Sequence, residues 1–294
     1  MALLRRVIRA FEQFAPLSLA ESWDNVGVLL EAPFSNADAT SVLLTIDLTT
    51  PVLEEALAIR PPVGVIVSYH PVLFRAEKRF TMADPKQRIA LKCAAAGISI
   101  FSPHTALDST IGGINDHLAS IFPNVKVVAP ITPSTSPLAS SAPFNCRNHY
   151  SFDGLPLPST PGSGRIVTLD QPHGFSDLLA RIKATLGLPR IRISRPFNPV
   201  EEIRTIAICA GSGSSVLVPL AGKADLLFTG EMSHHDLLAC QEKGSIAVMC
   251  EHSGSERRYL MCLKDVLGEV LKSDGGDVAN VVVSEKDKDP VEIV

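Results

Sequence analysis

The sequence contains no long uncharged hydrophobic run, and no stretch approaches the roughly 20 apolar residues that a membrane-spanning helix requires. The first segment, MALLRRVIRAFEQFAP, has apolar residues at helical spacing, but it contains Glu12 and lacks a small-residue cleavage site. It therefore predicts an amphipathic helix rather than a secretory signal. Arg5, Arg6 and Arg9 leave a mitochondrial presequence open. We expect an intracellular protein, cytoplasmic or located in the nucleus or a mitochondrion.

The sequence also lacks an excess of basic charge and any closely paired cysteines. Lys and Arg total 27 against 31 Asp and Glu, which gives a net charge of -4 and a pI of about 6.1. Direct nucleic-acid binding needs a concentrated basic surface, so we do not expect it here. The six cysteines form no CxxC pair and lie mostly in apolar runs, which is typical of buried thiols in a reducing compartment.

What the 294 residues do contain is an alternation of short Val- and Ile-rich runs with helical patterns, which predicts an α/β fold. The predicted strands are 42–46, 63–68, 98–102, 125–129, 165–169, 203–210, 224–229, 246–250 and 278–283. The predicted helices are 51–59 (with Thr50 as its cap), 85–96, 175–186, 235–241 and 256–271. The length of 294 residues is compatible with one large domain and favours two α/β domains.

A stretch rich in Pro, Ser and Thr separates the two sets of strands. The segment ITPSTSPLASSAP cannot bury much apolar surface, and its prolines disfavour both ladders and helices. We interpret it as a linker or loop. The predicted organisation is an N-terminal lobe at 1–131, a linker at 132–161 and a C-terminal lobe at 162–294.

Five of the eight histidines directly follow the C-terminal end of a predicted strand, which is where ligands bind in open α/β sheets. These strand-end groups are His70, His104 with Asp108, Glu231 with His234 and His235, and His252 with Glu256. Mixtures of His and carboxylate without cysteine suit divalent cations such as Zn, Mn, Fe or Ni. His117, His149 and His173 lie elsewhere, and we assign them no role.

Each strand-end group also has a structural interpretation when it is taken alone. Ser253 and Glu256 form an S-x-x-E capping box before an apolar run. Asp108 can cap a turn, and His70 can be a hydrogen-bonded structural residue before Pro71. The occurrence of four such groups in one chain favours a joint metal site.

Two glycine- or aromatic-containing turns are weaker signals. In ICAGSGSS, the residues Ser212, Gly213, Ser214 and Ser215 can form an anion site, or Gly211 and Gly213 can serve a tight turn. In SWDNVG, we interpret Trp23 as a buried anchor followed by an Asx turn, in preference to a substrate contact. No G-x-S-x-G elbow or Cys–His pattern supports a nucleophilic hydrolase.

Eight short motifs in order carry a family resemblance: SWDNVG, IVSYHPVLF, SPHTALD, GGINDHLA, GSGRIV, AGSGSS, TGEMSHHDLL and HSGSERRYL. Together they resemble the GTP cyclohydrolase I type 2 homologue family, also called the Nif-three-like family after NGG-interacting factor three. The resemblance runs from Leu17 to about Leu263, except in the Pro/Ser-rich middle. It implies two α/β lobes with mixed sheets, a dinuclear divalent metal site between them and assembly into hexamers.

The resemblance also implies roles for individual residues. His70, Asp108, His252 and Glu256 match the family's metal ligands, with Glu256 bridging two ions. Tyr69 stands where bacterial members have another histidine, so Tyr69, water or His104 completes the second position, and the chain holds one or two ions. Glu231, His234 and His235 match the GExxHH motif, which implies proton transfer or substrate contact, a role that His104 can share.

The function implied is a metal-dependent hydrolase, cyclohydrolase-like, acting on a nucleotide or related heterocycle whose phosphate sits on the Ser212–Ser215 turn. The alternative is a non-enzymatic regulatory protein that binds a transcription-related partner and keeps a structural or sensory metal. A site that performs catalysis needs an open coordination position, whereas a structural site is closed.

Overall fold

The computed structural model describes residues 3–34, 36–136, 152, 154–198, 201–275 and 279–292. Within these residues the chain forms two compact units. The first contains 3–107 and 260–288, and the second contains 108–136, 154–259 and 289–292. None of the helices in the described part of the chain is long and apolar enough to cross a membrane.

A five-stranded mixed sheet forms the centre of the first unit, in the order β1-β4-β3-β2-β11. Its strands are β1 (Gly27–Leu30), β2 (Ser41–Thr45), β3 (Val63–Ser68), β4 (Ser99–Ser102) and β11 (Asn280–Val283). β2, β3, β4 and β11 are parallel, whereas β1 runs antiparallel to β4. Every residue of β2 and β4 is buried, as expected for parallel strands that are covered on both faces.

Helices cover this sheet and bury its apolar side chains. They are α1 (Leu3–Phe14), α2 (Thr50–Ala58), α3 (Pro85–Ala95) and, from Leu260 onward, most of α9 (Tyr259–Ser273). The rings of Phe11 in α1 and Phe101 in β4 are 4.8 Å apart. On α2 and α3, Leu53 and Ile89 belong to a buried cluster with Ile66 of β3. The parallel strands are thereby held in a rigid layer whose C-terminal ends carry the candidate residues.

The second unit is built on a six-stranded mixed sheet in the order β5-β6-β8-β9-β10-β7. Its strands are β5 (Val125–Pro133), β6 (Gly162–Gly174), β7 (Arg192–Ser194), β8 (Glu202–Ser212), β9 (Leu226–Glu231) and β10 (Ile246–Met249). β8, β9 and β10 are parallel, and the other neighbouring pairs are antiparallel. Its helices are α5 (Ile114–Ala119), α6 (Phe175–Leu186), α7 (Ser214–Leu217) and α8 (His234–Lys243). The short α4 (Thr105–Ser109) contains the point where the chain passes from the first unit to the second.

A buried ion pair joins α5 to β6 in the second unit. Arg165 and Asp116 are both fully buried, and the Nε atom of Arg165 lies 2.5 Å from the Oδ1 atom of Asp116. The Arg165 guanidinium also donates to the carbonyls of Gly162, Gly164 and Thr110. A buried charge is tolerated when its partner and hydrogen bonds are complete, as they are here.

The α/β class with two mixed sheets is confirmed, and all nine predicted strands occur: 63–68 has the predicted bounds, and the other eight have shifted ends. The short strands β1 and β7 were not predicted. The helix α2 takes Thr49, rather than Thr50, as its N-terminal cap residue. None of the five cysteines in the described residues forms a disulfide, and four of them are buried.

The compact units differ from the predicted boundaries at 131 and 162 because of long-range pairing. Near the C-terminus, β11 pairs with β2 and so belongs to the first sheet. Residues 114–119, which form α5, pack against β6 and β8 of the second sheet. β5 continues through Pro133, which pairs with Gly162; proline is tolerated there because β5 is an edge strand. Most of the predicted linker lies outside the described residues.

Candidate functional site

In the first unit, His70 lies at the end of β3 beside a carboxylate from the end of the neighbouring strand. The Nδ1 atom of His70 is 3.0 Å from the Oδ1 atom of Asp47. The His70 backbone N–H donates to the carbonyl of Ile46, which fixes the turn. Because the Asp47 carboxylate accepts a hydrogen bond from Nδ1, it makes Nε2 the acceptor nitrogen of the imidazole.

His104 follows the adjacent strand, β4, and has the same arrangement. Its Nδ1 atom is 2.8 Å from the Oδ1 atom of Asp24, whose side chain is fully buried. The other Asp24 oxygen accepts hydrogen bonds from the backbone and the hydroxyl of Thr105 at the start of α4. Burial by itself raises the pKa of Asp24, but the hydrogen bonds from His104 and Thr105 outweigh it and lower the pKa below its usual value.

The backbone at His104 is strained in order to aim this ring. Its φ of 29° lies in the left-handed region, which residues other than glycine rarely adopt. In the second unit Glu251, directly before His252, has a φ of 64°. Strained residues of this kind cluster at functional sites, where the surrounding structure holds them in place.

The rings of Tyr69, His70 and His104 form a cluster in the first unit. The ring centroids are 5.0 Å apart for Tyr69 and His70, and 5.4 Å apart for the other two pairs. Tyr69 is buried, and its position at the end of β3 puts it beside both imidazoles. Trp23 packs edge-on against His104, but it is 61% exposed, so the prediction of a buried Trp anchor was wrong. The Asp24 side chain accepts a hydrogen bond from the backbone N–H of Asn25, the next residue, whereas the predicted Asx turn requires a bond to the residue two positions on.

In the second unit, His252 lies between two carboxylates. Its Nδ1 atom is 2.8 Å from the Oε1 atom of Glu231 at the end of β9, and its Nε2 atom is 3.4 Å from the Oε1 atom of the buried Glu256. If Nδ1 carries the proton that Glu231 accepts, the lone pair of Nε2 faces a carboxylate oxygen. Either a second proton or a cation must then lie between these two atoms.

Glycines clear the space around this pair. A Cβ atom on Gly211, at the end of β8, would lie 2.6 Å from the Oε1 atom of Glu256 and 3.0 Å from the Nε2 atom of His252. A Cβ atom on Gly230 would meet the backbone of Gly211 and of His252. Gly211 also has a φ of 62° and donates its N–H to the hydroxyl of Ser255. Small residues at both strand ends therefore let the His252 turn approach the sheet closely.

The capping-box interpretation of Ser253 and Glu256 was wrong. The segment 253–255 is a 3₁₀ turn, and α9 begins only at Tyr259. The Ser253 hydroxyl donates to Asp289, and Glu256 is directed to His252 instead. The 3₁₀ turn, rather than a helix, is what brings residues 252 and 256 onto the same side.

Asp108, the remaining predicted ligand, is assigned to the second unit, as is Glu256. Burial raises the pKa of the neighbouring Cys209 thiol, and the negative charges of Asp108 and Glu256 raise it further. A thiolate is therefore disfavoured at Cys209, and the carboxylates are the anionic groups of this region. The side-chain amide of Asn115 donates to the Asp108 carbonyl, which fixes the backbone there.

The other predicted site residues have different surroundings. His234 and His235 are exposed in the first turn of α8, with ring centroids 5.4 Å apart. On the glycine-rich turn, the Ser214 hydroxyl forms a hydrogen bond with the Asp236 carboxylate. Hydrogen bonds from Ser233 and Ser214 lower the pKa of Asp236. A Cβ atom on Gly213 would lie 2.4 Å from the Thr229 hydroxyl oxygen, so close packing accounts for that glycine. The anion site at residues 212–215 stays a prediction.

Sequence reasoning missed the two aspartates that hold the histidines of the first unit. Asp47 directly follows β2, so its position after a buried strand was a signal of the same kind as that of His70. Asp24 gave no such signal, because it is separated by 80 positions from its partner His104. Metal-binding histidines usually donate their other ring N–H to a carboxylate or carbonyl, and His70, His104 and His252 all have that carboxylate.

Two mixed α/β units with carboxylate-oriented histidines at their strand ends define a class of candidate metal-binding protein. A family model described as Duf34/NIF3 (NGG1p interacting factor 3) matches residues 2–290. The chain belongs to the Duf34/NIF3 family, which confirms the family resemblance of its motifs.

Individual relatives extend over nearly the whole chain. The Schizosaccharomyces pombe protein NIF3 homolog is 43% identical over 281 residues, which cover 93% of this chain and 91% of that protein. The Saccharomyces cerevisiae NGG1-interacting factor 3 is 34% identical over 304 residues, covering 99% and 97%. A crystal structure of a Bacillus cereus protein related to NIF3 is 19% identical, with a TM-score of 0.80 and coverage of 99% and 98%. At that identity the match shows a shared fold.

Proposed function

We propose that the chain binds a divalent metal and is a metal-dependent hydrolase. His252 and Glu256 of the second unit are the proposed central ligands, and Asp108 and His70 are the further ones. The observation that carries the proposal is the 3.4 Å approach of the His252 Nε2 atom to the Glu256 Oε1 atom. With Nδ1 of His252 donating to Glu231, these two atoms are placed as two ligands of one divalent cation, which would supply the positive charge that a proton on Nε2 otherwise provides.

The residues present fit such an ion chemically. An imidazole nitrogen and carboxylate oxygens are ligands for Zn, Mn, Fe and Ni alike, so the donor set does not select among these four. A side chain on Gly211 would fill the space beside the His252 and Glu256 ligand atoms, and glycine leaves it open. The carboxylate of Glu231 on the second nitrogen of His252 raises the basicity of the ligand atom.

When bound, the metal supplies Lewis-acid polarisation of a scissile group and a water of lowered pKa. The chain's own residues orient the reactants around it. His104, held by Asp24, is the proposed proton carrier, because an imidazole with one fixed nitrogen can accept or donate at the other. Glu231 keeps His252 in one tautomer, whereas His234 and His235 are exposed and can contact a substrate.

The number of ions depends on Tyr69. Tyr69 is buried beside His70 and His104, where a phenol is a weaker ligand than a second imidazole. We therefore propose one tightly held ion, with a second position completed by Tyr69, water or His104. The proposed substrate class is a nucleotide or related heterocycle, as the resemblance to the GTP cyclohydrolase I type 2 homologue family implies.

The experiment is elemental analysis of metal-depleted and reloaded protein, paired with a hydrolysis screen on nucleotides. We expect a stoichiometric ion in the wild type, its loss in His252→Ala and in Glu256→Gln, and its retention in the control variant His173→Ala. His173 is suited to this control because its ring contacts Asn124 near the end of β6, within the same unit. Circular dichroism of each variant checks that it is folded.

The outcomes test metal binding and enzymatic activity independently. Equal metal content in wild type and His252→Ala would overturn the metal site. Full turnover by the metal-depleted protein would overturn the metal-dependent mechanism. An increase in bound metal in Tyr69→His, compared with the wild type, would identify Tyr69 as the residue that limits the second position.

A second candidate is a non-enzymatic interaction protein, and one observation favours it. The name of the Saccharomyces cerevisiae relative describes an interaction with NGG1, a function that needs a binding surface and no turnover. In this case the metal is structural, and homo-oligomers, such as the hexamers that the family resemblance implies, present the surface. Metal that is retained without any hydrolysis, together with a loss of thermal stability on its removal, is the result that supports this candidate over the hydrolase.

A further inference from the structure

We propose that Trp23 and Phe74 of the first unit form a stacking platform for a planar aromatic heterocycle, with His104 beside it as a hydrogen-bonding group. This inference assigns the side chains that would bind the ring of such a ligand, and it rests on the proposed function for the ligand's role as a substrate. The binding itself requires only residues of the first unit.

The platform consists of two exposed aromatic side chains in contact. Trp23 is 61% exposed and Phe74 is 44% exposed. Their ring centroids are 6.2 Å apart at an interplanar angle of 64°, and the Trp23 and His104 centroids are also 6.2 Å apart, at 79°. Trp23 therefore contacts both a phenyl ring and an imidazole edge-on. A large indole left this accessible loses the burial that normally stabilises it, so its position needs a reason other than packing.

The backbone that carries the platform is held firmly. The side chain of Asp24, next to Trp23, is fully buried and accepts hydrogen bonds from His104, Thr105 and Asn25. The side-chain amide of Asn25 donates to the carbonyl of Leu73 at 2.5 Å, which ties the Trp23 turn to the residue before Phe74. Both aromatic side chains are thus presented by a preorganised turn, and preorganisation lowers the entropy lost when a ligand binds.

The same contacts favour a heterocycle over an aliphatic or purely anionic ligand. Aromatic rings provide stacking energy to a flat π system, and a neighbouring imidazole offers a polar group to its edge. The side chain of Asp24 is buried, which keeps its carboxylate from repelling a ligand at the surface. In nucleic-acid-binding proteins, replacing one stacking side chain with alanine weakens binding roughly 5- to 150-fold.

Trp23 also provides the fluorescence signal for a binding measurement, because it is the single tryptophan of the chain. We would titrate the full-length protein with guanosine and with adenosine, and with ribose as the matched ligand without a base, while recording indole fluorescence. The titration is done both with chelator and with added divalent metal. We expect saturable quenching by the nucleosides in both conditions, and none by ribose.

Variants test whether the platform itself is responsible. Phe74→Ala should weaken nucleoside binding roughly fivefold, as expected for the loss of one aromatic contact. Phe34→Ala is the matched control, since Phe34 is exposed to a similar extent, at 57%, and lines a cavity beside Gly64 and Gly97. Binding to Trp23→Leu, followed by calorimetry, should be weakened at least tenfold, with circular dichroism as the check on folding.

Several results would overturn the platform. They are equal quenching by ribose, no quenching in either condition, or equal effects of Phe74→Ala and Phe34→Ala. Emission that is already blue-shifted and shielded from acrylamide in the ligand-free protein would mean that a second copy covers Trp23. The titration with chelator contains no metal, so nucleoside binding observed in it supports the platform even if the proposed metal site is refuted. Metal binding without nucleoside binding would instead refute the platform alone.

Discussion

The Nδ1 atom of His252 lies 2.8 Å from the Oε1 atom of Glu231; Glu231 is the last residue of β9, and His252 follows the neighbouring parallel strand β10. The contact orients the His252 ring, whose other nitrogen approaches Glu256. The corresponding carboxylates in the first unit are Asp47 for His70 and Asp24 for His104. Substituting one of these carboxylates should therefore change metal affinity through the orientation of the histidine, without removing a ligand atom.

Glu231→Gln should weaken divalent-metal binding about 10- to 100-fold without unfolding the protein. The neutral amide is a weaker acceptor for the Nδ1 proton and can present its NH₂ group instead, which disfavours the tautomer with a lone pair on Nε2. Competition with a chromophoric chelator measures the affinity. Glu242→Gln, at an exposed position of α8, is the control. Identical affinities of the two variants would show that Glu231 does not orient the ligand.

Gly211→Ala should reduce both stability and metal content, and Gly187→Ala should reduce stability only. Both glycines have left-handed φ values, 62° and 69°, so both variants incur the same backbone strain of about 1–2 kcal/mol. Only at Gly211 does the added Cβ atom approach the His252 and Glu256 side chains; at Gly187 it has no neighbour within 4 Å. Overpacking should add roughly 1–3 kcal/mol at Gly211.

Urea unfolding and elemental analysis of the two glycine variants provide the comparison. An equal loss of stability, with metal retained in both, would mean that the His252 turn can move away from the sheet. It would also remove the argument that Gly211 keeps space for a cation.

The protein should lose stability between about pH 6.5 and pH 4 because of His117. Burial, with a smaller contribution from the charge of Arg258, lowers the pKa of His117 to about 4 from its ordinary 6.5. As the pH falls below 6.5, the unfolded chain takes up a proton before the folded chain does, so folding becomes less favourable. The stability is fully present above the unfolded pKa, and the total loss is about 3 kcal/mol.

Urea unfolding at several pH values tests this assignment. His117→Gln should flatten the pH dependence in that window, whereas His173→Gln should leave it unchanged. His117 is 5% exposed and His173 is only partly buried, so desolvation acts on the first ring far more than on the second. A wild-type slope that persists in His117→Gln would assign the titration to another group.

Arg165→Met should destabilise the second unit by about 3–5 kcal/mol, because it leaves the buried Asp116 carboxylate without its cation. Three carbonyl groups also lose a donor in this variant. Arg181→Met, at an exposed position of α6, is the matched control and should change stability by less than about 0.5 kcal/mol. If the melting temperatures of the two variants differ by only a degree or two, the stabilising role of the buried ion pair is contradicted.

The regular elements could be predicted because local patterns carry their signal. Val- and Ile-rich runs such as 63–68 are buried strands, and Phe175–Leu186 is a helix with the predicted bounds. The strand-end positions of His70, His104 and His252 could be predicted for the same reason. Short strands were missed, since β7, with three residues, has too little periodicity to detect.

The partners of these histidines required the tertiary structure. Asp24 is separated by 80 positions from His104, and β11 pairs with β2, which begins more than 230 positions earlier in the chain. Such contacts depend on how strands are ordered within a sheet, and a local pattern does not encode that order. The capping box of Ser253 and Glu256 was a local pattern that tertiary contacts with Asp289 and His252 displaced.

By itself, the sequence determined the α/β class, the family and the chemistry-bearing strand ends, because hydrophobic periodicity and short motifs are local properties of the chain. The tertiary structure decided which carboxylate orients each histidine and that Glu256 turns to His252 rather than to a helix cap. It also decided that Trp23 is exposed beside His104 instead of buried. These outcomes depend on long-range packing, since burial and hydrogen-bond partners are set by residues that meet only after the sheets have formed.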